Sequence, residues 1–92
     1  MRVSSDFILR EIAGEFMLVP VGAAAASLNG LIVLNECGST IFKALATEQT
    51  QEDLVKAVLA EYEVDAQTAA ADVEDFLTQL RGIGALIEEK NA

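Results

Sequence analysis

Residues 16–34, FMLVPVGAAAASLNGLIVL, contain no charged side chain, and the reading of this run decides the fold. Its length is close to the ~20 apolar residues that cross a bilayer as a helix, and the run of alanines at 23–26 looks like a signal-peptide cleavage region. Pro20, Gly22, Ser27, Asn29 and Gly30 interrupt it, however, and its flanks are Glu15 and Glu36 rather than Lys or Arg. A signal peptide needs a positive amino-terminal region, whereas Asp6, Glu11 and Glu15 outnumber Arg2 and Arg10. The run therefore reads as two buried strands joined by a Gly/Ala connection. No membrane partner is expected.

Outward from that run, residues 6–12 (DFILREI) and 15–21 (EFMLVPV) are rich in β-branched and aromatic residues, with Ala13-Gly14 between them at tight-turn spacing. Gly14 supplies the positive φ that a hairpin turn demands. Pro20 cannot donate to a ladder and belongs near a strand end. Residues 22–29 read as a connection and residues 30–34 (GLIVL) as a third short strand. An antiparallel strand with one wet face alternates. Leu31, Ile32, Val33 and Leu34 do not alternate, so both faces are expected to meet apolar groups.

Downstream the punctuation is helical. Asn35 is an N-cap before Cys37, Ile41, Phe42 and Leu45 at helical spacing. Thr50 caps a second helix, Asp53 completes a near capping box, and Leu54, Val55, Val58, Leu59 and Tyr62 form the apolar stripe. Glu52 and Lys56 make an i,i+4 pair on its outer face. Asp65 caps a third helix carrying Ala69, Val73, Phe76, Leu77 and Leu80, and Gly82 or Gly84 suits a left-handed C-cap. Residues 85–87 pack back as a short extended tail. The expected fold is α+β and winged-helix-like, a three-stranded antiparallel sheet followed by three helices, with residues 1–92 forming a single domain.

Composition narrows the function. The 92 residues include fifteen acids, six bases and no histidine, a net charge of −9. Hydrophobic residues make up 52%, too many for a disordered chain. The lack of histidine removes the commonest general acid/base and the commonest metal ligand. A single cysteine forms no internal disulfide and no Cys-based zinc cage. Cys37 has no histidine to activate it, although a place in the first helical turn would lower its pKa somewhat. Asp72 and Asp75 share a helix face at i,i+3, a spacing that solvated helices show constantly. No enzyme activity, metal or cofactor is expected, and the cytoplasm is the expected location.

Nucleic acid is a poor partner too. Nine of the fifteen acids fall between residues 48 and 75, where Lys56 is the only base, and phosphate repels such a surface. An acidic winged-helix transcriptional regulator or co-regulator is the alternative function. The third strand is the more informative feature. In a three-stranded meander it lies at a sheet edge, yet it carries no Lys, Pro or charge to protect that edge. A peptide adding as a further antiparallel strand would satisfy its backbone groups. The tail at 85–89 or a second copy of the chain would satisfy them equally well.

The chain resembles PqqD-like proteins, the peptide-recognition modules of pathways that make and modify ribosomal peptides. The resemblance rests on FILREIAGEF at 7–16, NGLIVLNECG at 29–38, YEVD at 62–65, and DVEDFL at 72–77 followed by Leu80 and Gly84. Cys37 stands where such sequences more often carry a small or β-branched residue. The resemblance implies a peptide chaperone that binds the leader of a precursor peptide as an extra strand on the third strand. It would then present that precursor to a modifying enzyme, a radical SAM protein or another maturase. On this chain the implied site is Leu31, Ile32, Val33 and Leu34 for the strand, and Asp72, Phe76 and Gln79 for a wall on the third helix. Val73, Leu77 and Leu80 would face the core. Apart from the resemblance, the exposed apolar edge would equally support a homodimer.

Overall fold

The computed structural model describes residues 1–27 and 32–88. In them β1 (Arg2–Val3), β2 (Phe7–Ile12) and β3 (Glu15–Pro20) precede α1 (Ala23–Ser27), and β4 (Ile32–Leu34) leads into α2 (Glu36–Ala44), α3 (Gln51–Glu61), α4 (Ala66–Gly82) and β5 (Leu86–Ile87). The architecture is the expected α+β, winged-helix-like one, with an antiparallel sheet in the order β2-β3-β4. Two elements go beyond the expectation. The connection at 22–29 holds the short α1, where a run of alanines, the best helix formers, follows Gly22 at a φ of 58°. In addition, β1 pairs with β5 in a second, two-stranded sheet. Gly30 and Leu31, the start of the expected third strand, lie outside the described residues.

The first hairpin sets the phase of the whole sheet. Ala13 and Gly14 have φ values of 53° and 82°, the two successive positive angles of a type I′ turn. Such a turn closes on a hydrogen-bonded pair, here Ile12 and Glu15. The Val21 N–H donates to the Asp6 carbonyl at 2.8 Å, which confirms the same alternation at the far end. Hydrogen-bonded and non-bonded pairs alternate along an antiparallel ladder, so Glu15, Met17 and Val19 direct their backbone groups to β2. Phe16 and Leu18 direct theirs to β4, where they face Leu34 and Ile32. Pro20 ends β3 opposite Phe7 at a non-bonded position, so its missing N–H costs the β2–β3 ladder nothing.

Each expected helix cap forms. Asn35 Oδ1 accepts the Gly38 N–H at 2.7 Å, and Asp65 Oδ1 accepts the Thr68 N–H at 2.7 Å. Thr50 and Asp53 complete a reciprocal capping box, at 3.1 and 2.9 Å. At the far end of α4, Gly84 takes a φ of 73° while its N–H meets the Arg81 carbonyl and the Ala85 N–H meets that of Leu80. That double closure is a Schellman motif. It turns the chain so that Arg2 and Val3 pair with Ile87 and Leu86. The tail therefore pairs with β1, and among the described residues nothing pairs with the outer edge of β4.

The core lies between the sheet and the helices. Leu18, Ile41, Leu45, Leu54, Leu77 and Leu80 are fully buried, with Phe7, Leu34, Phe42, Val73 and Phe76 around them. A buried side chain of this kind contributes about 1.5–3 kcal/mol. Leu59 departs from its expected place on the buried stripe of α3. It is exposed, because Leu54 and Val58 already fill the contact with α4. Among the described residues no helix is long and apolar enough to cross a membrane.

Two outcomes follow from this local chemistry. Ala13 in the left-handed region is strained, so Ala13→Asn should raise stability by about 1 kcal/mol, or roughly 4–8 °C in Tm for a domain of this size. Thermal melts check this, and an unchanged or lower Tm contradicts the assignment of the turn. Hydrogen bonds donated by the Thr68 backbone N–H and, next, by the Thr68 side chain hold the Asp65 pKa below the ordinary carboxylate value. That stabilisation is present above the unfolded pKa and is lost as pH falls through the lowered one. Asp65→Asn keeps the acceptor without the titration. It should match the wild type at neutral pH and lose less stability on acidification.

Candidate functional site

The phase of the ladder leaves one described residue of β4 with unused backbone groups. Ile32 and Leu34 direct theirs to Leu18 and Phe16, so the N–H and C=O of Val33 point away from the sheet. The Val33 side chain stands on the outer face beside Met17 and is 60% exposed. This corrects the expectation that both faces of the strand meet apolar groups. The inner face does, through half-buried Ile32 and buried Leu34. The outer face of this small sheet has no covering layer among the described residues.

Beside that open edge runs a groove of about 420 Å³ between β4, the start of α2 and one face of α4. From α4 come Asp72, Asp75, Phe76 and Gln79, spaced i, i+3, i+4 and i+7 and so aligned on one side of the helix. From α2 and its cap come Asn35, Cys37, Gly38 and Ile41. A Cβ at Gly38 would lie 3.1 Å from Phe76 Cε1 and 3.1 Å from Asn35 Oδ1, tighter than ordinary contact, so these side chains would have to give by a few tenths of an ångström. Glycine thus permits α2 to approach α4 closely enough for Phe76 to serve as both core and groove floor.

Of the residues expected at the site, Val33, Leu34, Asp72, Phe76 and Gln79 all line the groove. Ile32 faces the core instead and does not line it, and Leu31 lies outside the described residues. Val73, Leu77 and Leu80 are buried on the adjoining face of α4, as expected. Asn35, Cys37, Gly38, Ile41 and Asp75 were not expected there. Asp75 was signalled by its i,i+3 relation to Asp72. The others come from the following helix, whose angle to the sheet no local pattern encodes.

The groove is acidic. Asp72 and Asp75 line it, and among the described residues no Lys or Arg does. Lys43, on the same helix as Cys37, turns away and sits 5.3 Å from the centre of the Phe16 ring. Burial pushes the Cys37 thiol pKa up, and the negative charge of Asp72 pushes it further the same way. The expected lowering by the helix start is overridden, so the thiol is held in its protonated form. No group of three or more metal-ligating side chains gathers among the described residues. What the site offers is one outward N–H, one outward C=O, an apolar floor and an acidic rim.

The family described as coenzyme PQQ synthesis protein D (PqqD) matches residues 15–86. Two solved structures are similar over nearly the whole chain. One is TbiB1 in complex with the TbiA(beta) leader peptide, 27% identical, covering 99% of this chain and 100% of the other with a TM-score of 0.75. The second is lasso peptide synthetase B1 complexed with its leader peptide, 20% identical, covering 95% and 96% with a TM-score of 0.74. The second likeness bears on the fold alone. No curated protein matches the sequence.

The electrostatics of the groove can be read from its thiol. Asp72→Asn removes a negative charge that disfavours the thiolate, so alkylation of Cys37 by iodoacetamide should become faster at a given pH. Its rate profile should shift to lower pH. An unchanged profile would show that the Asp72 charge does not reach into the groove.

Proposed function

The chain belongs to the PqqD family, and on that premise we propose that it is a non-catalytic peptide chaperone. It binds the leader segment of a ribosomally made precursor by strand addition to β4. Ile32, Val33 and Leu34 form the receiving strand, with Asp72, Phe76 and Gln79 of α4 as the wall. The observation that carries this reading is the outward N–H and C=O of Val33 beside a groove, an edge that β5 does not cover. The likeness to TbiB1, a protein solved with a leader peptide bound, supports it independently.

In this reading residues 1–92 act as one peptide-recognition domain in the cytoplasm, and the precursor is handed to a radical SAM enzyme or another maturase. Holding the leader turns a bimolecular encounter between maturase and core peptide into a tethered one, which raises the effective concentration of substrate. A homodimer through β4 would occupy the same edge and compete with the leader. The winged-helix regulator reading draws less support, because α4 presents Asp72, Glu74 and Asp75 where a phosphate-binding helix needs bases.

The test is titration of the synthetic leader of the precursor encoded beside this chain, followed by amide shifts and by affinity. Resonances of Val33, Leu34 and the 72–79 face of α4 should move. Val33→Pro removes only an outward N–H, a change edge strands tolerate, so the variant should keep its circular dichroism spectrum. Losing that one ladder bond, worth about 0.5–1.5 kcal/mol, should weaken the leader roughly 2- to 12-fold. Val33→Ala keeps the backbone donor and should bind within a few-fold of wild type. A folded Val33→Pro variant that binds as tightly as wild type would sink the strand-addition site.

A further inference from the structure

We propose that the groove selects a leader with a basic side chain, Lys or Arg, at the residue paired with Leu34. This inference rests on the strand-addition reading above. It goes beyond that reading by naming which position of the leader is read, and by what chemistry.

The geometry follows from the register. An antiparallel strand that satisfies Val33 places one residue directly opposite it, and opposed residues share a face of the sheet. That residue stands on the outer face with Val33 and Met17. The preceding residue of the leader pairs with Leu34. It points to the inner face, as Leu34 does, and enters the groove. There it meets Ile41 and Phe76 below, with Asp72, Asp75 and Gln79 along α4.

Desolvation then decides the residue type. A strand laid along β4 covers the mouth of the groove and removes water from Asp72 and Asp75. Neither carboxylate has an ion-pair partner among the described residues, and no base lines the groove. An apolar side chain would leave both acids dehydrated and uncompensated, and an acidic one would add a third negative charge. A long basic side chain resolves both problems. Its methylenes lie on Phe76 and Ile41 while its head reaches the rim acids. The upward push of Asp72 on the Cys37 thiol reports the same unbalanced potential inside the groove. The demand for a strand is set separately, by the Val33 backbone.

The experiment measures affinity of the synthetic leader from the neighbouring precursor for wild type, for Asp72→Asn with Asp75→Asn, and for Glu63→Gln as an exposed acid outside the groove. The double variant should bind about tenfold more weakly, and salt should matter less to it than to wild type. Glu63→Gln should bind as wild type does. Replacing the leader's basic residue by norleucine should cost a similar factor in wild type and little more in the double variant, the signature of a direct pair. Equal affinity of wild type and double variant, an equal loss in Glu63→Gln, or tight binding of a leader without Lys or Arg would overturn the inference. All three leave strand addition standing. A leader that fails to bind wild type at all would overturn the strand-addition reading and this inference with it.

Discussion

A two-residue turn cannot be closed on an arbitrary pair of residues, and that restriction propagates through this molecule. Positive φ at Ala13 and Gly14 makes Ile12 and Glu15 a hydrogen-bonded pair. Every second residue of β3 is then committed to β2 and every other one to β4. Three residues further along the sheet, the consequence is an unpaired N–H and C=O at Val33. The open edge is thus a matter of phase. Shifting the turn by one residue would exchange the inward and outward faces of both strands and expose Leu18 in place of Met17.

The rest of the fold keeps that edge available. The Schellman closure at Gly84 sends the chain end to β1, where Leu86 and Ile87 pair with Val3 and Arg2. Arg81 holds the turn from outside through Glu88, at 2.7 Å. The cap at Asn35 starts α2 directly after Leu34, and Gly38 lets that helix close on Phe76. A groove with a rigid apolar floor results beside the strand, while the acids on α4 keep its rim hydrated until something replaces the water. In the proposed reading the acidic surface favours basic partners, and the apolar edge supplies the hydrogen bonds.

Much of this was legible in the sequence because it depends on local rules. The caps at Asn35, Thr50 and Asp65, the turn at Ala13-Gly14, the terminal position of Pro20 and the buried stripe of α4 each follow from a few neighbouring residues. Asp72, Phe76 and Gln79 share one face of α4 by their spacing, and the resemblance to PqqD-like proteins marked that face as a groove wall. What the sequence concealed depends on contacts between distant segments. A two-residue strand such as β1 exists only because β5 meets it. Cys37, Gly38 and Ile41 join the groove through the tilt of α2, and the thiol's raised pKa reflects its burial there and, after that, Asp72, 35 residues away in the chain. The apolar run at 31–34 misled for a related reason, since Val33 is apolar and exposed at an edge rather than covered by a second layer.

The claim on which all else rests is that Val33 presents free backbone groups to a peptide, and hydrogen exchange at single amides tests it most directly. In the protein alone, the Ile32 and Leu34 amides should exchange slowly, bonded as they are to β3, and the Val33 amide quickly. With a bound leader, Val33 should slow by about tenfold or more while its two neighbours change little. A Val33 amide already protected in the free protein, or one whose exchange a bound leader leaves untouched, would contradict the account.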